Sequence, residues 1–147
     1  MKVKECMRNN VCYCQPETTI SDIAKQMNQN HIGCVPVCDA NNNLVGLVTD
    51  RDIILRAVAC NKNTNTTPVS EIMTTKIYSC DSNAELVEAT KIMSDMQVKR
   101  VPVVDNGKII GIITLGDLAN NQEISGKTVN QTLENICNCQ ANAKNNY

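Results

Sequence analysis

Apolar side chains along the chain keep two rhythms. Ile20, Ile23, Ala24 and Met27 recur at helical spacing, and so do Leu86, Ala89 and Met93, with Thr90 beside them. Each stripe predicts a helix with one face turned to a core. After each comes a pair of short apolar runs of the kind that buried strands make: "CVPVCD" then "LVGLV", and "RVPVVD" then "IIGII". The polar stretches "ANNN" and "NGK" separate the runs of each pair and predict turns. Val11 to Cys14 and Ile77 to Cys80 predict a leading strand, and "DRDIILRAVA" and "LGDLANN" a closing helix. The order is β-α-β-β-α, and it is written twice.

The two copies share residues as well as pattern. Val3, Glu5, Met7 and Cys14 fall on Val69, Glu71, Met73 and Cys80. Lys25 and Met27 fall on Lys91 and Met93, and "VPVCD" falls on "VPVVD". One residue is lost in the second turn, after which "LVGLVTDRD" meets "IIGIITLGD". The predicted organisation is copy one over 1–60, a polar linker over 61–68 closed by Pro68, copy two over 69–122, and a C-terminal stretch over 123–147. In that last stretch Val129, Leu133 and Ile136 keep helical spacing, and the residues from Cys139 onward predict a disordered tail. Neither copy can bury much surface alone. The expected fold is therefore α/β, in a layered α+β form, with the two copies packed as a pseudo-twofold pair.

Composition narrows the function. The 147 residues carry a formal net charge of -1, so no overall basic field draws nucleic acid. The core must be aliphatic, since Phe and Trp are absent. No apolar run reaches membrane-spanning length and "MKVKECMRNN" lacks the apolar centre of a signal peptide, so the expected location is cytoplasmic. Nine cysteines, an odd number, argue for free thiols over a disulfide framework. Cys34 and Cys38 would share one strand face in the core. The pairs Cys12/Cys14 and Cys137/Cys139 have a C-x-C spacing poorly suited to zinc.

Candidate chemistry sits in the repeated phrase, "GLVTDRD" and "GIITLGD". Thr49 with Asp52, and Thr114 with Asp117, have the spacing of a helix capping box. The same geometry suits a ligand. Free N–H groups at a helix start attract phosphate, a threonine hydroxyl adds a bond, and a carboxylate can accept from both hydroxyls of a ribose. Gly46 and Gly111 would let a ligand approach the strand backbone. No catalytic constellation is evident in the sequence, and the expectation is a protein that is not an enzyme and requires no cofactor.

The element order, the "VPVVD" strand, the G-h-h-T-x-x-D phrase and the tandem repeat closely resemble the CBS domain, whose paired form is called a Bateman module. The resemblance spans about residues 3–122. It implies a regulatory module binding an adenosyl ligand (AMP, ADP, ATP or S-adenosylmethionine) in clefts between the copies. It also implies a homodimer, output through an unidentified protein partner, and no nucleic-acid or membrane role. By resemblance, Thr49, Asp52, Thr114 and Asp117 face phosphate and ribose, and Lys99 and Arg100 contact phosphate. Val11 to Cys14, Val35 and Pro36 in copy one line the adenine, as do Ile77, Tyr78, Ser79, Val101 and Pro102 in copy two. The copies are unequal: Lys99-Arg100 replaces Gly33-Cys34, and Arg51 stands in copy one where copy two has Gly116. Asp117 with Arg100 is therefore expected to make the tighter site. His31, opposite Gln97, is expected to be structural. The competing readings are a cysteine-based metal or redox sensor on the same scaffold, and a structural dimerisation module with empty clefts.

Overall fold

The computed structural model describes the backbone of residues 1–144 and the side chains of residues 1–138. It is a mixed helix and strand protein with small sheets, in two compact units. One unit comprises Val11–Ile77 with Gly107–Ile109, and the other Met1–Asn10, Tyr78–Asn106 and Ile110–Tyr147. The first holds the phrase of copy one and the second that of copy two. Each unit also takes in the leading segment of the other repeat: residues 69–77 belong to the copy-one unit and residues 1–10 to the copy-two unit.

In the copy-two unit a short helix α1 (Val3–Cys6) buries Val3 completely. In the copy-one unit α2 (Ile20–Asn30) turns Ile20, Ile23 and Met27 inward, as the stripe predicts. Thr19 caps it, its side chain accepting from the Asp22 N–H. The linker supplies more: the N–H groups of Ile20 and Ser21 donate to the carbonyls of Thr67 and Thr64, satisfying helix-start donors that would otherwise lack partners. Strands β1 (Cys34–Cys38) and β2 (Leu44–Thr49) pair antiparallel, with Pro36 opposite Leu47 and a bulge after Val37. Every residue of β1 is buried, which explains its unbroken apolar run.

After β2 comes α3 (Asp50–Asp52), which widens into a π-helix over Ile53–Val58. That differs from the plain α-helix expected there. In the copy-two unit β3 (Cys80–Asp81) runs parallel to β4 (Arg100–Asp105), and β4 turns into β5 (Lys108–Thr114) through Asn106-Gly107, both at positive φ. Helix α4 (Leu86–Met96) buries Leu86, Ala89, Thr90 and Met93. Helix α5 (Leu115–Ala119) follows β5. Helix α6 (Gly126–Lys144) packs on α4, with Ile136 in the core and the Asn135 amide donating to Ser94 Oγ at 2.5 Å. The tail expected from Cys139 falls on residues whose side chains, and at 145–147 whose backbone, lie outside the described residues.

The leading strands are shorter than expected. Copy two keeps only Cys80–Asp81, and copy one a single parallel bridge from Cys14 to Val37. The difference between them is one atom pair. The Ser82 N–H donates to the Val104 carbonyl at 3.1 Å, whereas copy one has Pro16 at the matching position and no N–H to give.

The candidate ligand mouths

Both threonine–aspartate pairs close as capping boxes. In the copy-one unit the Asp52 N–H donates to Thr49 Oγ1 at 3.1 Å, and the Thr49 N–H donates to Asp52 Oδ2 at 3.0 Å. In the copy-two unit the Asp117 N–H donates to Thr114 Oγ1 at 3.2 Å and the Thr114 N–H to Asp117 Oδ2 at 2.9 Å. The Thr114 hydroxyl also lies 2.7 Å from Asp117 Oδ2. Each carboxylate is thus held where the strand ends and the helix begins, on the rim of its unit.

What stands beside each carboxylate was not read from the sequence. Asp52, 9% exposed, takes the Thr74 hydroxyl at 3.3 Å and has Arg56 Nε at 3.7 Å. Asp117 takes Arg8 Nε at 2.9 Å. Thr74 and Arg8 are the same position of the repeat, each just after the shared methionine. Their backbones are placed alike: Thr74 exchanges both hydrogen bonds with Leu47, and Arg8 with Ile112. The repeat register could have found them, since it puts position 8 over position 74 beside the Met7–Met73 match.

The glycines of the phrase have another role than the one expected. A Cβ on Gly46 would come 2.5 Å from Met73 Sδ, and one on Gly111 2.4 Å from Met7 Sδ. The chain's own Met–Thr and Met–Arg segments make the close approach there, not a ligand. The helix-start donors are also largely spent. In copy one the Asp50 N–H goes to the Gly33 carbonyl at 3.0 Å and the Arg51 N–H to Asp50 Oδ1 at 2.9 Å. In copy two the Leu115 N–H goes to the Lys99 carbonyl at 2.9 Å.

Those bonds root Gly33-Cys34 and Lys99-Arg100 at their respective mouths. Lys99, Arg100 and Arg51 are exposed. A groove of about 400 Å³ opens at the copy-one mouth, lined by Met27, Asn28, His31, Ile32, Gly33 and Asp50. Asp50 makes that rim acidic where copy two has Leu115. Any side chain at position 33 would collide with it, since a Cβ there meets Asp50 Oδ2 at 2.8 Å. Val35, Pro36, Val101 and Pro102 are buried, Val35 and Val101 completely, and the Pro36 carbonyl already accepts from the Cys14 N–H. Tyr78 is half-buried in the copy-two unit, and Ile77 is half-buried in the copy-one unit.

The family model for the CBS domain matches residues 3–59 and again 69–123. The chain belongs to the CBS domain family. CBS domain-containing protein YhcV of Bacillus subtilis (strain 168) is 40% identical over 134 residues, 91% of this chain and 94% of that protein. Among solved structures, Hypoxic Response Protein I with two coordinated zinc ions matches with a TM-score of 0.76 at 30% identity, over 82% of this chain and 98% of that one. The CBS domain pair of protein MJ0100, in complex with 5′-methylthioadenosine and S-adenosyl-L-methionine, matches with a TM-score of 0.70 at 27% identity, over 81% and 93%. A CBS pair is a regulatory module, and this chain is one such pair.

Among the described cysteines Cys14, Cys34, Cys38 and Cys80 are buried, and Cys60 and Cys137 are exposed. Cys34 and Cys38 are core residues, as expected from their strand. Burial pushes the Cys14 thiol up to about 12, with the nearby Cys38 adding to it. Burial likewise pushes Cys80 up to about 11, helped by Glu88 and Asp81. Among the described residues no three His, Cys, Asp or Glu side chains converge as a metal site, and no helix is long and apolar enough to cross a membrane.

Proposed function

We propose that this chain is a non-catalytic regulatory module that binds an adenosyl ligand at its threonine–aspartate mouths and signals to a protein partner. The observation that carries the reading is the pair of carboxylates, Asp52 and Asp117, each fixed at a rim by its own capping box. A carboxylate so fixed is preorganised to accept ribose hydroxyls without ordering cost. The MJ0100 pair, which holds two adenosyl compounds, supports that choice of ligand. In this reading Thr49, Arg51 and Asp52 serve one ligand and Thr114, Asp117, Lys99 and Arg100 another. Adenine in this reading meets Ile77 and Tyr78, both half-buried, and reaches the buried Val35, Pro36, Val101 and Pro102 only by opening the strand starts. Lys99 and Arg100 against Asp50 make copy two the tighter mouth for a phosphorylated ligand.

Calorimetry with AMP, ATP and S-adenosylmethionine tests the reading. At least one should bind with micromolar or better affinity. Silence from all of them removes it. The second reading, a metal protein, is favoured by the zinc in the Hypoxic Response Protein I structure alone. Elemental analysis of anaerobically purified protein separates the two.

The proposal includes a homodimer. The helical stripes of α2 and α4 are buried inside their own units, and α6 covers part of α4. Among the described residues, three exposed apolar side chains fall together on the π-helix, Ile54, Leu55 and Val58 at 58%, 49% and 60%, while Val87 and Met96 are exposed on α4. A patch of that kind suits an isologous contact with a second copy.

A further inference from the structure

We infer that Arg8 makes the copy-two mouth selective for phosphorylated adenosyl ligands over uncharged ones such as adenosine. The inference rests on the adenosyl reading above and adds the ligand class. A carboxylate offers about four acceptor positions. On Asp117, Oδ2 already takes the Thr114 N–H at 2.9 Å and the Thr114 hydroxyl at 2.7 Å. Oδ1 takes Arg8 Nε at 2.9 Å. A ribose diol needs two positions, and one remains. A ribose diol that takes both positions of Oδ1, the oxygen the capping box leaves untied, displaces Arg8.

Displacement has different consequences for different ligands. Arg8 is rooted by its two backbone bonds to Ile112, two residues before Thr114, so its flexible side chain stays beside the mouth. The side chain is 69% exposed, while that of Asp117 is 12% exposed. An uncharged adenosyl ligand such as adenosine takes Asp117 from Arg8 and gives the guanidinium no anion in return. A ligand with a 5′-phosphate gives it a new anion, and the planar fork suits phosphate at least as well as carboxylate. Lys99 and Arg100 are rooted at the same mouth, where Leu115 stands in place of copy one's Asp50.

Copy one is the internal contrast. Thr74 stands at the Arg8 position and its hydroxyl lies 3.3 Å from Asp52 Oδ2. A hydroxyl yields a carboxylate to a ribose by rotating, and can then accept a bond itself. Arg56, 3.7 Å from Asp52 Oδ1, is meanwhile held by the carbonyls of Ile72 and Met73. Ligand entry there leaves no cation without a partner, and Asp50 disfavours phosphate. The Arg8 requirement belongs to copy two alone.

The test titrates AMP and adenosine separately into wild-type protein, Arg8→Thr and Arg8→Gln. Isoleucine methyl NMR gives site-resolved affinities, Ile112 reporting the copy-two mouth and Ile53 the copy-one mouth. Wild type should prefer AMP at Ile112. Both variants should lose about tenfold of that preference, adenosine tightening as Asp117 is freed and AMP weakening. A purely structural role for Arg8 would move both ligands together. If the AMP-to-adenosine ratio at Ile112 is the same in all three proteins, the Arg8 inference is wrong while the adenosyl reading stands. If neither ligand shifts either methyl in wild type, the Arg8 inference is wrong, and silence from ATP and S-adenosylmethionine as well would end the adenosyl reading itself.

Discussion

At the scale of single residues, the repeated phrase is shaped by the chain's own neighbours. Gly111 faces Met7 Sδ at 2.4 Å and the Arg8 carbonyl at 3.0 Å from where a Cβ would stand; for Gly46 the values are 2.5 Å and 3.3 Å. Gly111→Ala should therefore destabilise by roughly 1–3 kcal/mol, and Gly46→Ala by less, because the backbone oxygen stands further off. Urea midpoints would show the order; equal losses, or none, would mean the methionines move aside freely. The carboxylates were legible from the sequence because Thr-x-x-Asp has a fixed geometry. Their partners Arg8 and Thr74 were not, because 109 residues separate Arg8 from Asp117 and only the folded repeat register joins them. The thiols follow burial. Unfolded cysteine ionises near pH 9, but Cys14 is held to about 12 and Cys80 to about 11. Their stabilising contribution is complete below pH 9 and is lost as pH rises through 9 to 12. A thiol reagent at pH 8 should label the exposed Cys60 and Cys137 of the native protein and spare Cys14, Cys38 and Cys80. Rapid labelling of Cys14 would contradict its place in the core.

At the scale of elements, α2 and α4 end the same way. His31 and Gln97 both sit in the left-handed region, at φ 53° and 58°, and donate their N–H groups to the carbonyls of Met27 and Met93. Glycine suits that position better than any side chain. His31→Gly and Gln97→Gly should each stabilise by up to about 1 kcal/mol, read as a rise in melting temperature. A fall would mean that the side chains hold contacts worth more than the backbone strain. The expected structural role of His31 takes this form, and it was visible only as an alignment of two unlike residues. Helix stripes and buried strands were read from periodicity because each has one dominant face. The leading strands were over-read. Of Val11 to Cys14 only Cys14 is buried, and ladder length depends on donors, of which Pro16 supplies none. The π-helix was legible only as a helix, since Ile53 and Ala57 turn inward while Ile54, Leu55 and Val58 are exposed.

At the scale of the whole molecule, duplication was the strongest signal in the sequence, and the family match follows its two halves over residues 3–59 and 69–123. What the repeat did not reveal is that compact units and repeats divide the chain differently, residues 1–10 joining the copy-two unit and 69–77 the copy-one unit. If Ile54, Leu55 and Val58 form the contact between two copies, light scattering should give a dimer at micromolar concentration, and a Leu55→Glu, Val58→Glu protein should be monomeric but folded. A wild-type monomer would refute the contact. The central claim is that the two threonine–aspartate pairs bind an adenosyl ligand and are more than helix caps. It is tested most directly by titrating AMP and S-adenosylmethionine calorimetrically into wild-type, Asp52→Ala and Asp117→Ala protein. The account predicts that removing a carboxylate costs roughly 1.5–3 kcal/mol, about ten- to a hundredfold in affinity, at the site it serves, with Asp117→Ala the more damaging for AMP. Undiminished affinity for every ligand in both folded variants would contradict it, and would leave the phrase as a pair of capping boxes.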